Sequence, residues 1–206
     1  MAELFMSKQD IDTADIDVFA RALLRLTRAV TKAVDGRIWD VLTQSRVDPA
    51  TTGLTTSINM ITTSGAWTSA AADPVRDILA AKNTMWVSGA YNPEGASLYL
   101  TPEGYRLLCT WLISAKGSMI PQFASEKIQT GVVMKFLGLN VKVSPNVTAD
   151  YAAIVIPNTA ATWKTQESIT SKAIENPGLG TNLRVWESGE AILTDPKAVC
   201  LISNVE

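Results

Sequence analysis

Residues 13–44 read TADIDVFARALLRLTRAVTKAVDGRIWDVLTQ, and within them Ile16, Phe19, Leu23, Leu26, Val30 and Val34 recur at intervals of three or four. That spacing predicts one apolar face along a long amphipathic helix. Thr13 or Asp15 is placed to cap it, and Asp12, Asp15 and Asp17 sit where the positive end of the helix dipole favours carboxylates. A helix over the whole stretch would run about 45 Å at ~1.5 Å per residue, a rod that few small domains need. Away from the apolar stripe, Arg21, Arg25, Arg28 and Lys32 fall within a narrow arc and form a basic ridge. Gly36 interrupts the order at a cost of about 1 kcal/mol relative to alanine, and Arg37 then falls on the apolar side. A bend or a change of packing partner is expected there.

Beyond the helix, residues 48–72 are rich in threonine, serine and glycine, with a strand-like core at Leu54 to Thr62. Asp73-Pro74 supplies a capping side chain and a proline at the first helical position, opening a short helix to about Lys82. Asn92-Pro-Glu-Gly95 is a turn by residue type, and Ala96 to Leu100 reads as a strand. Thr101-Pro102-Glu103 repeats the cap-and-proline signal before a second amphipathic helix with Leu107, Leu108, Trp111 and Leu112. A loop follows at 118–130, then two short strands, Val132 to Leu137 and Leu139 to Ser144, around Gly138. Tyr151 to Ile156 is a core strand. Residues 162–193 alternate polar and apolar in two stretches split by Asn176-Pro-Gly-Leu-Gly180, which predicts a solvent-facing hairpin. Asp195-Pro196 turns the chain into a last apolar strand, Ala198 to Ile202.

Composition limits the chemistry. With 47% apolar and 18% charged residues, the 206-residue chain can bury one substantial core or two smaller ones. A net charge of −2 gives no global attraction to nucleic acid or anionic lipid, so such contacts would need a local patch. No apolar run approaches the ~20 residues of a membrane span, and residues 1–12 lack a secretory pattern, so the chain reads as intracellular in origin with no membrane partner. Histidine is absent, which removes the commonest general base, the commonest zinc ligand and every Ser-His or Cys-His pair. Cys109 and Cys200 have no metal-type spacing and read as reduced thiols. No cofactor and no metal are expected.

What remains open is a carboxylate pair among residues such as Glu94, Glu103, Glu187 and Glu190, whose separation only a structure can give. Gly178-Leu-Gly180 lacks the third glycine and the strand-turn-helix setting of a phosphate loop, so it reads as a turn. The six tryptophans fit core and interface packing better than base stacking, because no cations interleave with them. The ridge Arg21, Arg25, Arg28, Lys32 could meet phosphates or an acidic subunit, against the plainer reading of a solvated helix face.

The order of elements, together with Ala96 to Leu108 (ASLYLTPEGYRLL), Phe136 to Pro145 (FLGLNVKVSP) and Asp195 to Ile202 (DPKAVCLI), resembles the major capsid proteins of tailed bacteriophages and related archaeal viruses, the Hong Kong type of shell fold. The resemblance implies an α+β fold with a long spine helix, an elongated peripheral domain and an axial domain of mixed sheet with flanking helices. It assigns 1–66 to the peripheral domain with its spine helix and 67–156 to the axial domain. Residues 157–190 become the peripheral hairpin and 191–206 the terminal axial strand. In the family an N-terminal arm and an extended loop precede the spine helix; here about a dozen residues do, so the chain is expected to lack both and, purified alone, to be a monomer or small oligomer. No cross-linking lysine is carried over.

The function so implied is that of a non-enzymatic structural subunit, self-assembling into the pentamers and hexamers of an icosahedral viral or proviral capsid made in the host cytoplasm. Its partners would be other copies of itself, packaged double-stranded DNA, and scaffolding or portal proteins. Lys116, Met119, Phe123 and Lys127, in and beside the 118–130 loop, are the candidate contacts at a symmetry axis. The alternatives are an encapsulin-like nanocompartment shell, a histidine-free carboxylate hydrolase, and a nucleic-acid binder using the basic ridge.

Overall fold

The computed structural model describes residues 1–13, 17–44, 58–113 and 135–206, and the chain divides into two compact units, 1–38 with 163–192 and 39–162 with 193–206. Each unit is assembled from distant parts of the sequence.

The first unit is a three-stranded sheet covered by helix. Its strands are β1 (Ala2–Ser7), β7 (Ala161–Asn176) and β8 (Gly180–Leu193), in the order β1-β8-β7. β1 runs antiparallel to β8, with Ala2 opposite Val185, Leu4 opposite Leu183 and Met6 opposite Thr181. Because side chains alternate across a strand, these residues share one face. On it Met6, Leu183 and Val185 bury against Ala22, Leu26 and Val30 of α2 (Val18–Gln44), with Val18 and Val34 partly buried at either end. The buried positions 18, 22, 26, 30 and 34 are a single row of i±4 neighbours. Leu26, Val30 and Val34 belong to the expected apolar stripe, but its N-terminal part is corrected. Phe19 and Leu23 stay 36% and 38% exposed, and Ile16 lies outside the described residues. Hydropathy favours the row with the larger side chains, but it is small Ala22 that is buried against the sheet, at 4% exposure.

The helix start also differs from expectation. Residues 8–13 form a separate short helix, α1 (Lys8–Thr13), with the Ser7 hydroxyl accepting the Asp10 amide at 3.1 Å. The cap of α2 is Asp17, whose carboxylate accepts the Ala20 amide at 3.0 Å, whereas Thr13 bonds back to Gln9. Gly36 does not break α2. The change of partner does occur beside it, since residues through Ile38 belong to the first unit and those from Trp39 to the second.

One glycine fixes the β1–β8 pairing. Gly180 has φ +147°, and a Cβ there would lie 2.1 Å from the Met6 carbonyl oxygen and 2.9 Å from the Ser7 Cα. Gly180→Ala is therefore expected to spring β1 away from β8 at that end, with a cost of about 2 kcal/mol read as a lower denaturation midpoint. Amide exchange should speed up at Phe5 to Lys8 first.

The second unit is a six-stranded mixed sheet ordered β2-β9-β6-β3-β5-β4, formed by β2 (Asn59–Thr62), β3 (Ser97–Leu100), β4 (Lys135–Phe136), β5 (Leu139–Val143), β6 (Tyr151–Val155) and β9 (Val199–Ser203). β2, grouped with the spine helix in the sequence-based division, pairs parallel with β9 and so belongs here. On one face α3 (Pro74–Gly89) and α4 (Pro102–Ile113) bring Ile78, Ala81, Met85, Leu107, Leu108 and Leu112 against Leu98, Leu100, Ile154, Cys200 and Ile202. β6 and β9 are buried on both faces, as Ala152 to Val155 and Val199 to Ile202 demonstrate. Both cap-and-proline signals are real. Asp73 accepts the Arg76 amide at 3.1 Å and Thr101 accepts the Gly104 amide at 2.8 Å, though α3 extends to Gly89 rather than stopping near Lys82.

Candidate functional site

The polar interior of the second unit consists of structural clamps. Asp77, 3% exposed, accepts the Ser64 amide, the Ser64 hydroxyl and the Trp67 indole N–H at 3.0–3.1 Å. The Lys82 ammonium is equally enclosed. It donates to Glu94 at 2.5 Å and to the Leu137 carbonyl at 2.9 Å, and lies 5.9 Å from the Trp86 ring centre. This clamp holds the β4–β5 turn, where Leu137 and Gly138 both have positive φ, the requirement of a tight two-residue hairpin. Tyr91 donates to Asp195, which raises the phenol above its ordinary range. Burial pushes the Cys200 thiol up to about 12, so it is inert at neutral pH.

Three of the four carboxylates weighed for catalysis are engaged elsewhere. Glu94 is held by Lys82, and Glu103 by Arg106, whose hydrogen bonds keep that carboxyl below its usual range. Glu187 accepts the Trp163 indole at 3.2 Å, and Glu190 lines a depression on the hairpin with Lys164, Thr165, Gln166 and Gly189. Among the described residues no three acidic or cysteine side chains gather into a metal-binding group. Four of the tryptophans place their indole N–H on a named partner, with Trp39 on Thr148 and Trp111 on the Ala72 carbonyl in addition to Trp67 and Trp163.

Arg21, Arg25, Arg28 and Lys32 are all exposed on α2. Lys116, Met119, Phe123 and Lys127 lie outside the described residues. What residue type alone did not disclose is the amount of surface left unpartnered among the described residues. β7 is a sixteen-residue edge strand whose side chains from Lys164 to Ala173 are exposed on both faces. Leu24 on α2 is 57% exposed, and Leu79, Trp86 and Val87 project from α3. An edge of this length is a template for pairing unless something covers it.

A sequence model of the phage capsid protein family matches residues 3–202. The chain belongs to the phage capsid protein family. A search of curated protein sequences gives no match. Among solved structures the subunit is similar to one from Mycobacterium phage Che8, at TM-score 0.74 and 16% identity over 98% of this chain and 69% of that one. It is similar also to the capsid structure of Cyanophage P-SCSP1u, at 0.73 and 12% over 98% and 70%. A third likeness is to the capsid of an empty GTA particle computed with C5 symmetry, at 0.71 and 11% over 100% and 72%. At these identities the likeness establishes the fold, which is the α+β capsid fold expected from the sequence. The family match establishes a structural capsid subunit of the virion shell, and favours neither the nanocompartment nor the hydrolase reading. Among the described residues no helix of this capsid protein is long and apolar enough to cross a membrane.

Proposed function

We propose that this subunit builds an icosahedral shell of pentamers and hexamers around a double-stranded DNA genome, by binding and without catalysis. The observation that carries the reading is the edge of β7, which none of the described residues covers, because repeated heterologous contacts need surfaces that a lone subunit leaves open. The unit 1–38 with 163–192 takes the peripheral role, and 39–162 with 193–206 the axial role around the symmetry axes. Scaffolding and portal proteins are the further partners of such a shell, and synthesis in the host cytoplasm precedes assembly. Lys116, Met119, Phe123 and Lys127 are the proposed axis contacts.

The complete gene product is expected to form closed particles in electron micrographs and to scatter light far above the 22.2 kDa of the chain. A product that stays monomeric at every salt and protein concentration overturns the reading.

A further inference from the structure

We infer that the basic ridge of α2 docks on the exposed carboxylates Asp10, Asp12 and Asp17 of a second copy of this chain, and does not face packaged nucleic acid. The inference rests on the shell reading above and names one of its contacts. Arg21, Arg25 and Arg28 are exposed, and among the described residues none has an ion pair. Asp10 and Asp12 on α1 and Asp17 at the head of α2 are exposed in the same unit, with the Asp10 carboxylate accepting the Ser7 hydroxyl at 2.7 Å, so every copy carries both cations and carboxylates on its surface. A heterologous contact uses each patch once per subunit and repeats without further parts.

Two features select protein over DNA. Leu24 lies three residues from Arg21 and four from Arg28, which makes it their neighbour on the helix surface, and it is 57% exposed. An apolar side chain among arginines suits the desolvated centre of a protein interface but has no partner on a phosphate backbone. Asp17 at the head of the same helix would repel phosphates, on a chain whose net charge is already −2. Asp10, Asp12 and Asp17 complement the ridge of a neighbour instead.

Reciprocal charge reversal in the complete gene product tests this, read by light scattering and sedimentation against protein concentration. Arg21→Glu with Arg25→Glu and Arg28→Glu is expected to raise the concentration for assembly about tenfold or more, as is Asp10→Lys with Asp12→Lys. Asp17 is left intact because it caps α2. Combining both sets should restore assembly to within about threefold of the parent, since the charges again oppose. Leu24→Ser, at an exposed position, should weaken assembly with the charge pattern untouched, and it keeps the test open where a triple reversal misfolds by circular dichroism. Reversals that leave assembly unchanged, or a combined variant as weak as its parts, overturn the docking while particles still form, so the shell reading survives. Ridge reversal that spares assembly but empties the particles of DNA assigns the ridge to nucleic acid and equally overturns it. A parent chain that never associates overturns both.

Discussion

Asp77→Ala is expected to lower the unfolding free energy of the second unit by about 3 kcal/mol. The carboxylate is buried and satisfies the Ser64 amide, the Ser64 hydroxyl and the Trp67 indole. Its removal strands two donors that cannot turn to solvent, the backbone amide and the indole N–H, each worth about 1–3 kcal/mol when left unpaired. Trp67 also donates its backbone amide to the Val205 carbonyl at 3.0 Å, so the segment carrying it ties α3 to the end of the chain. Loosening it should extend beyond the mutated turn. Asp77→Asn keeps the shape and one acceptor oxygen and is expected to lose roughly half as much. Urea unfolding followed by tryptophan fluorescence separates the three proteins, and a loss under about 1 kcal/mol for alanine would mean that water replaces the carboxylate.

The features legible in sequence were those whose cause is local. Asp73-Pro74 and Thr101-Pro102 announce helices because the capping side chain reaches an amide only three residues on, at Arg76 and Gly104. The β7–β8 hairpin is marked by its own turn, with Gly178 at φ +78°. β1 was not legible. Its Leu4-Phe5-Met6 run blurs the alternation, and its strand state depends on β8, far away in sequence, and on the missing Cβ of Gly180. The start of the buried row of α2, at Val18 and Ala22 instead of Phe19 and Leu23, was misread for the same reason, since the sheet beneath it decides between two adjacent rows. The exposure of the ridge followed from helical geometry alone, but its charged and apolar neighbours become meaningful only once Leu24 is seen to be uncovered. Tertiary pairing is thus the information that a pattern of residues carries only implicitly.

The second large effect is expected at Ile154, the residue on which the sheet of the second unit converges. It stands opposite Leu98 on β3 and opposite Cys200 on β9, so one row of side chains crosses three strands beneath α3 and α4. All three are fully buried. Ile154→Ala removes a large side chain where strands on both sides are fixed by their ladders, so the site cannot collapse and a cavity persists. The loss should fall at about 2–5 kcal/mol, against about 0.5–1.5 for Ile154→Val. Ala153, one residue earlier, points to the other face between Tyr99 and Leu201 and offers no cavity to open, so Ala153→Gly should cost only about 1 kcal/mol. Denaturant midpoints for the three variants give the ranking directly. If Ile154→Ala matched Ile154→Val, the helices would be settling into the vacated space, and the rigidity needed to present the unit's edges to neighbouring subunits would have to come from elsewhere.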